Sequence, residues 1–367
     1  MSFHNKQGMD NIIPIAEKLC EDKKNQITLL DLRSTYSQLS PNLEVSENIL
    51  VNKDTSIFKN IRNLNKISKL LFIFSKFFTI KKYGKNYDIY IFSPGGFYEG
   101  LLSREFKNNF KNTYFIEAGV KIYLYLNSQN ELQPKNSFLK NISGYFTTGE
   151  NPKNKLENFT NQKNLIYNYG VPRYSNIISI HKISKFYKSK KIKNLLYLTS
   201  AASYHRIDWE ESWQTRAIED IVNSSITDKY VLNIKVHPRD NFEKYKQYEN
   251  VRNVNILSGS DIETDIEDSD CVISGPSSSI HEVALLGKIY TVLWPFDNYE
   301  NEYLSNESLV KNIEDLNHKI LKLNNDLSYQ NNLFSQQLIE AQKFINIDSD
   351  SSTKNIIQHI ISENIER

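Results

Sequence analysis

The stretch DCVISGPSSSIHEVALLGK, residues 270–288, predicts a strand, a turn and a helix in immediate succession. DCVISG is a short apolar run containing β-branched residues, which is typical of a buried strand. IHEVALLGK places Ile280, Val283, Ala284 and Leu286 on the apolar side of a helix. The turn between them consists of small residues. A strand that passes directly into a helix is the repeating unit of a parallel α/β sheet.

The same alternation of short apolar runs and helical patterns continues along most of the chain, which predicts an α/β fold with largely parallel sheets. Eleven strands are predicted, at residues 27–32, 48–51, 87–93, 113–119, 144–148, 165–170, 194–200, 229–238, 254–258, 270–275 and 289–295. Helical patterns follow at residues 315–327 and 331–345.

The length of 367 residues favours two domains over one large core. A Gly170-Val171-Pro172 turn signal followed by the lysine-rich segment 173–193 marks the predicted boundary. We therefore expect one domain over residues 1–178 and a second over 190–335. Helices in the remaining segment, 336–367, are expected to return toward the first domain.

Composition excludes several classes of protein. Lys and Arg number 45 against 43 Asp and Glu, so no strong overall field favours nucleic acid as a partner. Two cysteines cannot form a disulfide framework, and no apolar run is long enough to span a membrane. The chain is therefore expected to be cytoplasmic. A GxxxxGK[ST] phosphate loop and a strand-linked GxGxxG are both absent, which argues against an NTPase and a dinucleotide-dependent dehydrogenase.

The serine turn is the first candidate binding site. Ser277, Ser278 and Ser279 lie where the first N–H groups of a helix lack partners, and both those groups and the hydroxyls can hydrogen-bond a phosphate. Glu282, one turn further on, can accept hydrogen bonds from the ribose of a nucleotide. The alternative is a capping box, since Ser279 and Glu282 have the spacing of one.

A second candidate site follows two neighbouring predicted strands. His237 and Pro238 end the strand KYVLNIKVHP, where ligands of open α/β sheets bind, and the histidine can donate to a leaving phosphate. Ser200 lies in a small-residue loop after the strand NLLYLTS and can contribute to a nucleotide or sugar site. Both features also fit a purely structural role.

The third candidate site lies in the first domain. Glu117 follows the apolar strand TYFI and precedes Gly119, so its carboxylate is a candidate general base for a sugar hydroxyl. Gly95 and Gly96 form a tight loop after YDIYIFS and, together with Gly119, are expected to shape an acceptor site. A surface glutamate at the end of a strand is the alternative interpretation of Glu117.

Taken in order, FIEAG, KVHP and GPSSS resemble the motifs of the bacterial sialyltransferases and polysialyltransferases of GT-B architecture. The resemblance implies two Rossmann-like domains that face a cleft, an N-terminal one for the acceptor and a C-terminal one for the nucleotide sugar. It also implies inverting, metal-independent transfer of sialic acid from CMP-sialic acid to a cell-surface glycan of a capsule or lipooligosaccharide. The acceptor could be lipid-linked.

The resemblance further assigns a role to each site residue. Glu117 would be the base, His237 would stabilise or protonate the departing CMP phosphate, and Ser278 and Ser279 would bind that phosphate. Two features depart from the pattern. Ala118 stands where many relatives have a second carboxylate, and only MSF is available for the first strand, so the chain starts late or its sheet begins differently.

Other readings of the sequence stay open. A metal-dependent GT-A enzyme would use a DxD motif, which Asp268-Ser269-Asp270 and Asp348-Ser349-Asp350 match. Another GT-B enzyme with a CMP-Kdo or CDP-polyol donor could use the same HP and serine motifs. A noncatalytic protein that binds nucleotide or glycan is the third alternative.

Residues 66–85, KISKLLFIFSKFFTIKKYGK, contain six lysines, no acidic residue and many apolar side chains. Such a segment can bind peripherally at an anionic membrane surface, here the inner face of the membrane. The competing expectation is a helix that packs its apolar face on the first domain and leaves its lysines in solvent. We expect the apolar face to pack on the first domain. The lysines are still expected to attract the chain to an anionic membrane surface.

Overall fold

The computed structural model describes all residues except 4, 37–42, 54–63, 121–138, 161, 176–188, 201–210, 239, 260, 276, 295–303, 347–350 and 366–367. The chain divides into two compact units. The first unit holds the described residues up to Val120, those from Leu139 to Ser175 and those from Phe344 onward. The second unit holds the described residues from Ser189 to Lys343.

Within the described part of the first unit, seven parallel strands form one sheet in the order β3-β2-β1-β4-β5-β6-β7. The strands are β1 (Ser2–Phe3), β2 (Thr28–Asp31), β3 (Leu50–Lys53), β4 (Ile89–Ser93), β5 (Asn112–Ile116), β6 (Gly144–Phe146) and β7 (Ile166–Tyr167). The helices are α1 (Lys6–Cys20), α2 (Lys66–Asn86), α3 (Phe97–Asn108) and α4 (Glu150–Phe159).

The first strand, expected to be nearly missing, is two residues long and lies inside the sheet. Ser2 and Phe3 are fully buried and pair with β2 on one side and β4 on the other. Asn5 then begins α1, because its side chain accepts a hydrogen bond from the Gly8 N–H at 2.7 Å. The sheet thus begins with MSF itself.

In the described part of the second unit, six parallel strands form a sheet in the order β10-β9-β8-β11-β12-β13. The strands are β8 (Asn194–Leu198), β9 (Val231–Lys235), β10 (Val254–Leu257), β11 (Cys271–Ser274), β12 (Ile289–Leu293) and β13 (Leu309–Val310). The helices are α5 (Glu211–Val222), α6 (Ile226–Lys229), α7 (Ile262–Glu267), α8 (Ser279–Leu285), α9 (Ile313–Asn325) and α10 (Leu327–Phe344).

The last helix, α11 (Ser352–Ile365), belongs to the first unit. The predicted segment 336–367 is therefore divided, since its residues up to Lys343 stay with the second unit. The physical reason is Gln337, which exchanges two hydrogen bonds with the backbone of Tyr290 in β12, at 3.1 and 2.7 Å. This side chain fixes the middle of α10 to the second sheet.

Each sheet has a buried core. Phe92 and Phe115 on neighbouring strands of the first sheet have ring centroids 5.1 Å apart, and α2 adds Phe72 to the same cluster. Cys271 and Ile273 of β11 pack into the second core, and Ile280, Val283, Ala284 and Leu286 of the opening stretch are buried as predicted. Gly287, at φ +72°, ends α8 in the left-handed conformation that favours glycine.

Candidate functional site

The carboxyl edge of the second sheet carries most of the predicted binding residues. The chain runs from β8 to β9 in one direction and later adds β11 on the other side of β8, so the strand order reverses between β8 and β11. Open α/β sheets bind ligands at such a reversal, beyond the carboxyl ends of the strands. Ser200 follows β8, His237 and Pro238 follow β9, and the serine turn follows β11.

The serine turn is built differently from a capping box. Ser278 is the N-cap of α8 and makes no side-chain capping hydrogen bond, while Ser279 is the first helical residue. The Ser279 N–H donates instead to the Ser277 hydroxyl at 3.3 Å. The capping box would need Ser279 at the N-cap, so that alternative is wrong. All three serines are half-buried.

The helix that follows the serine turn buries two polar side chains. Glu282 is 9% exposed, and His281 has no exposed surface. Burial lowers the pKa of His281 to about 3, so the imidazole is neutral at ordinary pH. The predicted ribose-binding role of Glu282 stays a prediction. His281 was not among the predicted site residues, because a histidine between Ile280 and Glu282 in a short helix carries no distinctive pattern.

The loop after β9 is fixed by Thr199 at the end of β8. The backbone N–H of His237 donates to the Thr199 hydroxyl at 2.7 Å, and the Thr199 N–H donates to the Lys235 carbonyl at 3.1 Å. The Asp240 N–H closes a turn on the His237 carbonyl at 2.8 Å. His237 is half-buried and Pro238 is exposed. The backbone of the HP motif is thus tied to the neighbouring strand.

Gln214 of α5 connects the Ser200 loop to the loop that follows the HP motif. Its carbonyl oxygen accepts hydrogen bonds from the Ser200 N–H at 2.6 Å and hydroxyl at 3.1 Å. Its amide nitrogen lies 3.0 Å from an Asp240 carboxylate oxygen and 2.9 Å from the Tyr245 hydroxyl. Ser200 is therefore held by protein groups. Sequence reasoning missed Gln214, whose only signal is an amide on the buried side of a helix.

The carboxyl edge of the first sheet carries the predicted base. Glu117 comes one residue after β5 and is 1% exposed. The Thr148 N–H donates to one carboxylate oxygen at 3.0 Å, and the Tyr145 hydroxyl lies 3.5 Å from the other. Glu117 is thus a buried, hydrogen-bonded side chain, which corrects the alternative of a surface glutamate.

Two residues that the sequence did not reveal support the segment after β5. The Asn11 amide donates to the Glu117 carbonyl at 2.9 Å, and its oxygen accepts from the Arg173 N–H at 3.0 Å. The Arg173 guanidinium donates to the Ala118 carbonyl at 3.0 Å, and a side chain at Gly119 would meet it at 3.0 Å. Gly119 therefore permits the approach of Arg173.

Asp10 of α1 places another acidic group in this neighbourhood. Burial raises the pKa of its carboxyl group, and the charges of Arg173 and Lys6 act against that rise. Asp10 precedes Asn11, whose amide holds the Glu117 backbone.

The loop with Gly95 and Gly96 lies at the strand-order reversal of the first sheet, between β1 and β4. Gly96 is the N-cap of α3, and the Ser93-Pro94 peptide bond is cis. Gly8 of α1 packs against this loop so closely that a Cβ atom would lie 2.0 Å from the Ser93 carbonyl oxygen. The acceptor-side role of these glycines stays a prediction.

The metal-binding alternative finds no support at Asp268-Ser269-Asp270. Asp270 precedes β11 and accepts two backbone N–H groups, of Lys193 and Asn194, and the Lys190 ammonium at 2.6 Å. Burial raises the pKa of Asp270, but these donors outweigh burial and hold it below its usual value. Asp270 therefore connects β11 to β8 at the amino edge. Asp348 and Asp350 lie outside the described residues, among which no cluster of metal-ligating side chains occurs.

No protein-family model matches the chain, and no curated protein matches it in sequence. Solved structures do match. A protein described as a UDP-N-acetylglucosamine 2-epimerase, from Listeria monocytogenes, has a TM-score of 0.65 at 13% identity, covering 100% of this chain and 96% of its own. The UDP-GlcNAc 2-epimerase of Neisseria meningitidis bound to UDP-GlcNAc has a TM-score of 0.63 at 12% identity, covering 98% of both chains.

The wall teichoic acid polymerase TagF, in a structure with CDPG, has a TM-score of 0.57 at 13% identity, covering 100% of this chain and 89% of its own. The fold is of the GT-B type. At these identities the likeness concerns the fold alone, and the predicted two-domain α/β architecture is confirmed. The sialic acid donor that the sequence motifs imply for this GT-B chain stays a prediction.

Proposed function

We propose that this GT-B chain is an inverting glycosyltransferase that transfers sialic acid from CMP-sialic acid to a cell-surface glycan of a capsule or lipooligosaccharide. The observation that carries the proposal is the strand-order reversal between β8 and β11. There, three loops from adjacent strands bring the serine turn, Ser200 and His237 to one edge of the second sheet.

The donor phosphate is proposed to bind at the serine turn. Ser278 makes no capping hydrogen bond, so its hydroxyl is not committed to the first turn of α8. Small, half-buried side chains permit a phosphate to approach the backbone N–H groups there. Glu282 would take the ribose, and Ser200 and Pro238 would complete the donor site. The imidazole of His237 would face the leaving phosphate from the loop after β9.

The transfer step then needs a base and a stabilised leaving group. Glu117 would accept the proton of the acceptor hydroxyl while that oxygen bonds to the anomeric carbon and the bond from that carbon to the CMP phosphate oxygen breaks. His237 would donate a hydrogen bond or a proton to the departing phosphate. This scheme requires no divalent ion.

Two further activities are favoured by the structural neighbours. TagF, whose structure contains CDPG, favours a CDP-polyol donor, and a CMP-Kdo donor would use the same motifs. The 2-epimerases favour conversion of UDP-GlcNAc without an acceptor. A noncatalytic nucleotide- or glycan-binding protein is the remaining alternative. In each case the ligand would occupy the same edge of the second sheet.

The test is product analysis after incubation with a donor panel of CMP-sialic acid, CMP-Kdo, CDP-glycerol and UDP-GlcNAc, each with and without glycan acceptors and EDTA. We expect acceptor-dependent release of CMP from CMP-sialic acid alone, unaffected by EDTA. Release of the nucleotide from another donor would show that this donor, and not CMP-sialic acid, is the substrate. Epimerisation of UDP-GlcNAc without an acceptor would show that the chain is an epimerase and not a transferase. Binding without turnover of any donor would overturn the enzyme proposal.

Matched variants test the assigned roles. Glu117→Gln and His237→Asn should each reduce turnover by about 10²-fold or more. Glu105→Gln removes another buried carboxylate, paired with Lys81, and His318→Asn removes an exposed imidazole. Both controls should keep wild-type turnover. Full activity in Glu117→Gln would exclude it as the base.

The cytoplasmic location, at the inner face of the membrane, stays a prediction. Among the described residues, no helix is long and apolar enough to cross a bilayer. An acceptor linked to lipid would be found at the membrane surface, which makes the surface of the first unit relevant to this function.

A further inference from the structure

Helix α2 has an apolar face on both sides. On one side, Phe72 is fully buried and packs edge-on against Tyr98, with ring centroids 5.5 Å apart. Ile80 is buried on the same side. The opposite side carries six large apolar side chains in solvent, between 47% and 82% exposed: Ile67, Leu70, Leu71, Phe74, Phe77 and Phe78. We call these six residues the α2 stripe.

The α2 stripe has the spacing of a single helix face. Its members recur every three or four residues, so they form a continuous band about 17 Å long. Phe78 is 82% exposed, Ile67 72% and Phe74 67%. A soluble surface carries scattered apolar residues, but a contiguous band of this size marks an interaction site. The expectation that α2 buries its apolar face is thus only half fulfilled.

The charges carried by helix α2 itself have one sign. Helix α2 contains six lysines and no acidic residue. Lys66 precedes the stripe, and Lys82 and Lys85 follow it, all three exposed. Lys81 lies 5.7 Å from the centroid of the Phe77 ring and 3.2 Å from a Glu105 carboxylate oxygen. An apolar band with cations at both ends is complementary to a surface with an anionic outer layer and an apolar interior.

We propose that α2 docks the protein on a membrane containing anionic lipids, lying in the plane of the interface with the α2 stripe inserted among the acyl chains. The lysines at the ends of the stripe then contact lipid phosphates. A second copy of the chain is a poorer partner, because a symmetric contact would place the same lysines opposite one another with no carboxylate on either helix. The proposal is independent of which donor the enzyme uses.

The test is sedimentation of the full chain with vesicles of phosphatidylcholine alone or with 30% phosphatidylglycerol. We expect binding to the anionic vesicles that weakens as salt is raised. Phe74→Ser combined with Phe78→Ser should weaken that binding by about tenfold or more, since two aromatic rings no longer insert. Lys82→Gln combined with Lys85→Gln should weaken it on the order of tenfold.

Matched control variants distinguish membrane binding through the α2 stripe from nonspecific binding to the vesicles. Leu321→Ser with Ile339→Ser removes two exposed apolar residues elsewhere, and Lys23→Gln with Lys24→Gln removes two exposed lysines. Both pairs should bind like the wild type. Equal loss in test and control pairs, or no binding to anionic vesicles, would overturn the proposal. So would a dimer in solution that dissociates when Phe74 and Phe78 are replaced, since the stripe would then bind a second copy. No nucleotide sugar is present, so failure here leaves the proposed transfer reaction standing.

Discussion

At the scale of single residues, the sequence revealed candidates by type and place but not their partners. Glu117 could be selected because a carboxylate follows an apolar strand, and the structure adds the Thr148 N–H that holds it. Asn11 could not be selected, because its role depends on Glu117 and Arg173, which are far away in sequence.

Replacing Asn11 should destabilise the first unit. The side chain is fully buried and satisfies the Glu117 carbonyl and the Arg173 N–H. Asn11→Ala leaves both without this partner, so we expect the free energy of unfolding to fall by about 2 to 4 kcal/mol. Urea unfolding measures this. Asn25→Ala, which removes an exposed amide, is the control and should change little. Equal stabilities of the two variants would show that the Asn11 contacts contribute nothing.

His281 should make stability depend on pH. Its pKa is about 3 in the folded protein against 6.5 for an unperturbed histidine. As the pH falls from 7.5 to 5, the unfolded chain takes up a proton that the folded chain does not, which lowers the free energy of unfolding by about 2 kcal/mol.

The comparison that isolates this effect uses His281→Leu. The variant should lose about 2 kcal/mol less than the wild type between pH 7.5 and pH 5, because leucine takes no proton. Urea unfolding at both pH values gives the difference, in which the other titrating groups cancel. The same decline in both proteins would mean that His281 is already protonated when folded at pH 5.

At the scale of elements, periodicity predicted eleven strands, and a strand is present within or overlapping each predicted range. The structure adds β13 and shows that the MSF segment does form a strand, β1; each has two residues. The predicted ranges were too long where strands end: the strand predicted to continue to residue 119 stops at Ile116. Helix α2 shows another limit of sequence-based prediction, because hydropathy alone does not show which of its two apolar faces packs against the protein.

The packing of α1 on the loop after β4 gives a test at this scale. In an unhindered helix Gly8→Ala would stabilise by about 1 kcal/mol. Here the added methyl group would lie 2.0 Å from the backbone oxygen of Ser93, so α1 or the loop must move. We expect a loss of about 2 kcal/mol or more in the free energy of unfolding. Gln7→Ala, at an exposed neighbouring position, should be neutral. A stabilised Gly8→Ala variant would contradict this packing.

At the scale of the whole molecule, the α/β alternation predicted parallel sheets and the motif resemblance implied the GT-B architecture, but neither predicted where the chain returns to the first unit. That return is fixed by the Thr148 hydroxyl and carbonyl, which hydrogen-bond to Phe344 and Asn346 at 2.9 and 2.7 Å. Helix α11 then places His359 against the ring of Tyr167, with centroids 4.2 Å apart. Such contacts join residues about 200 positions apart, which no local pattern reveals.

The carboxyl edge of the second sheet, at the β8/β11 reversal, is proposed to bind a nucleotide through the serine turn. The direct measurement is calorimetric titration of CMP, CDP and UDP into the wild type and Ser278→Asp. Aspartate is as good an N-cap as serine, so α8 should form, but its charge repels a phosphate. Asn312→Asp adds the same charge at the N-cap of α9 and is the control. We expect one nucleotide to bind the wild type and the control equally, and Ser278→Asp at least about tenfold more weakly. Unchanged binding to Ser278→Asp would show that the phosphate binds elsewhere.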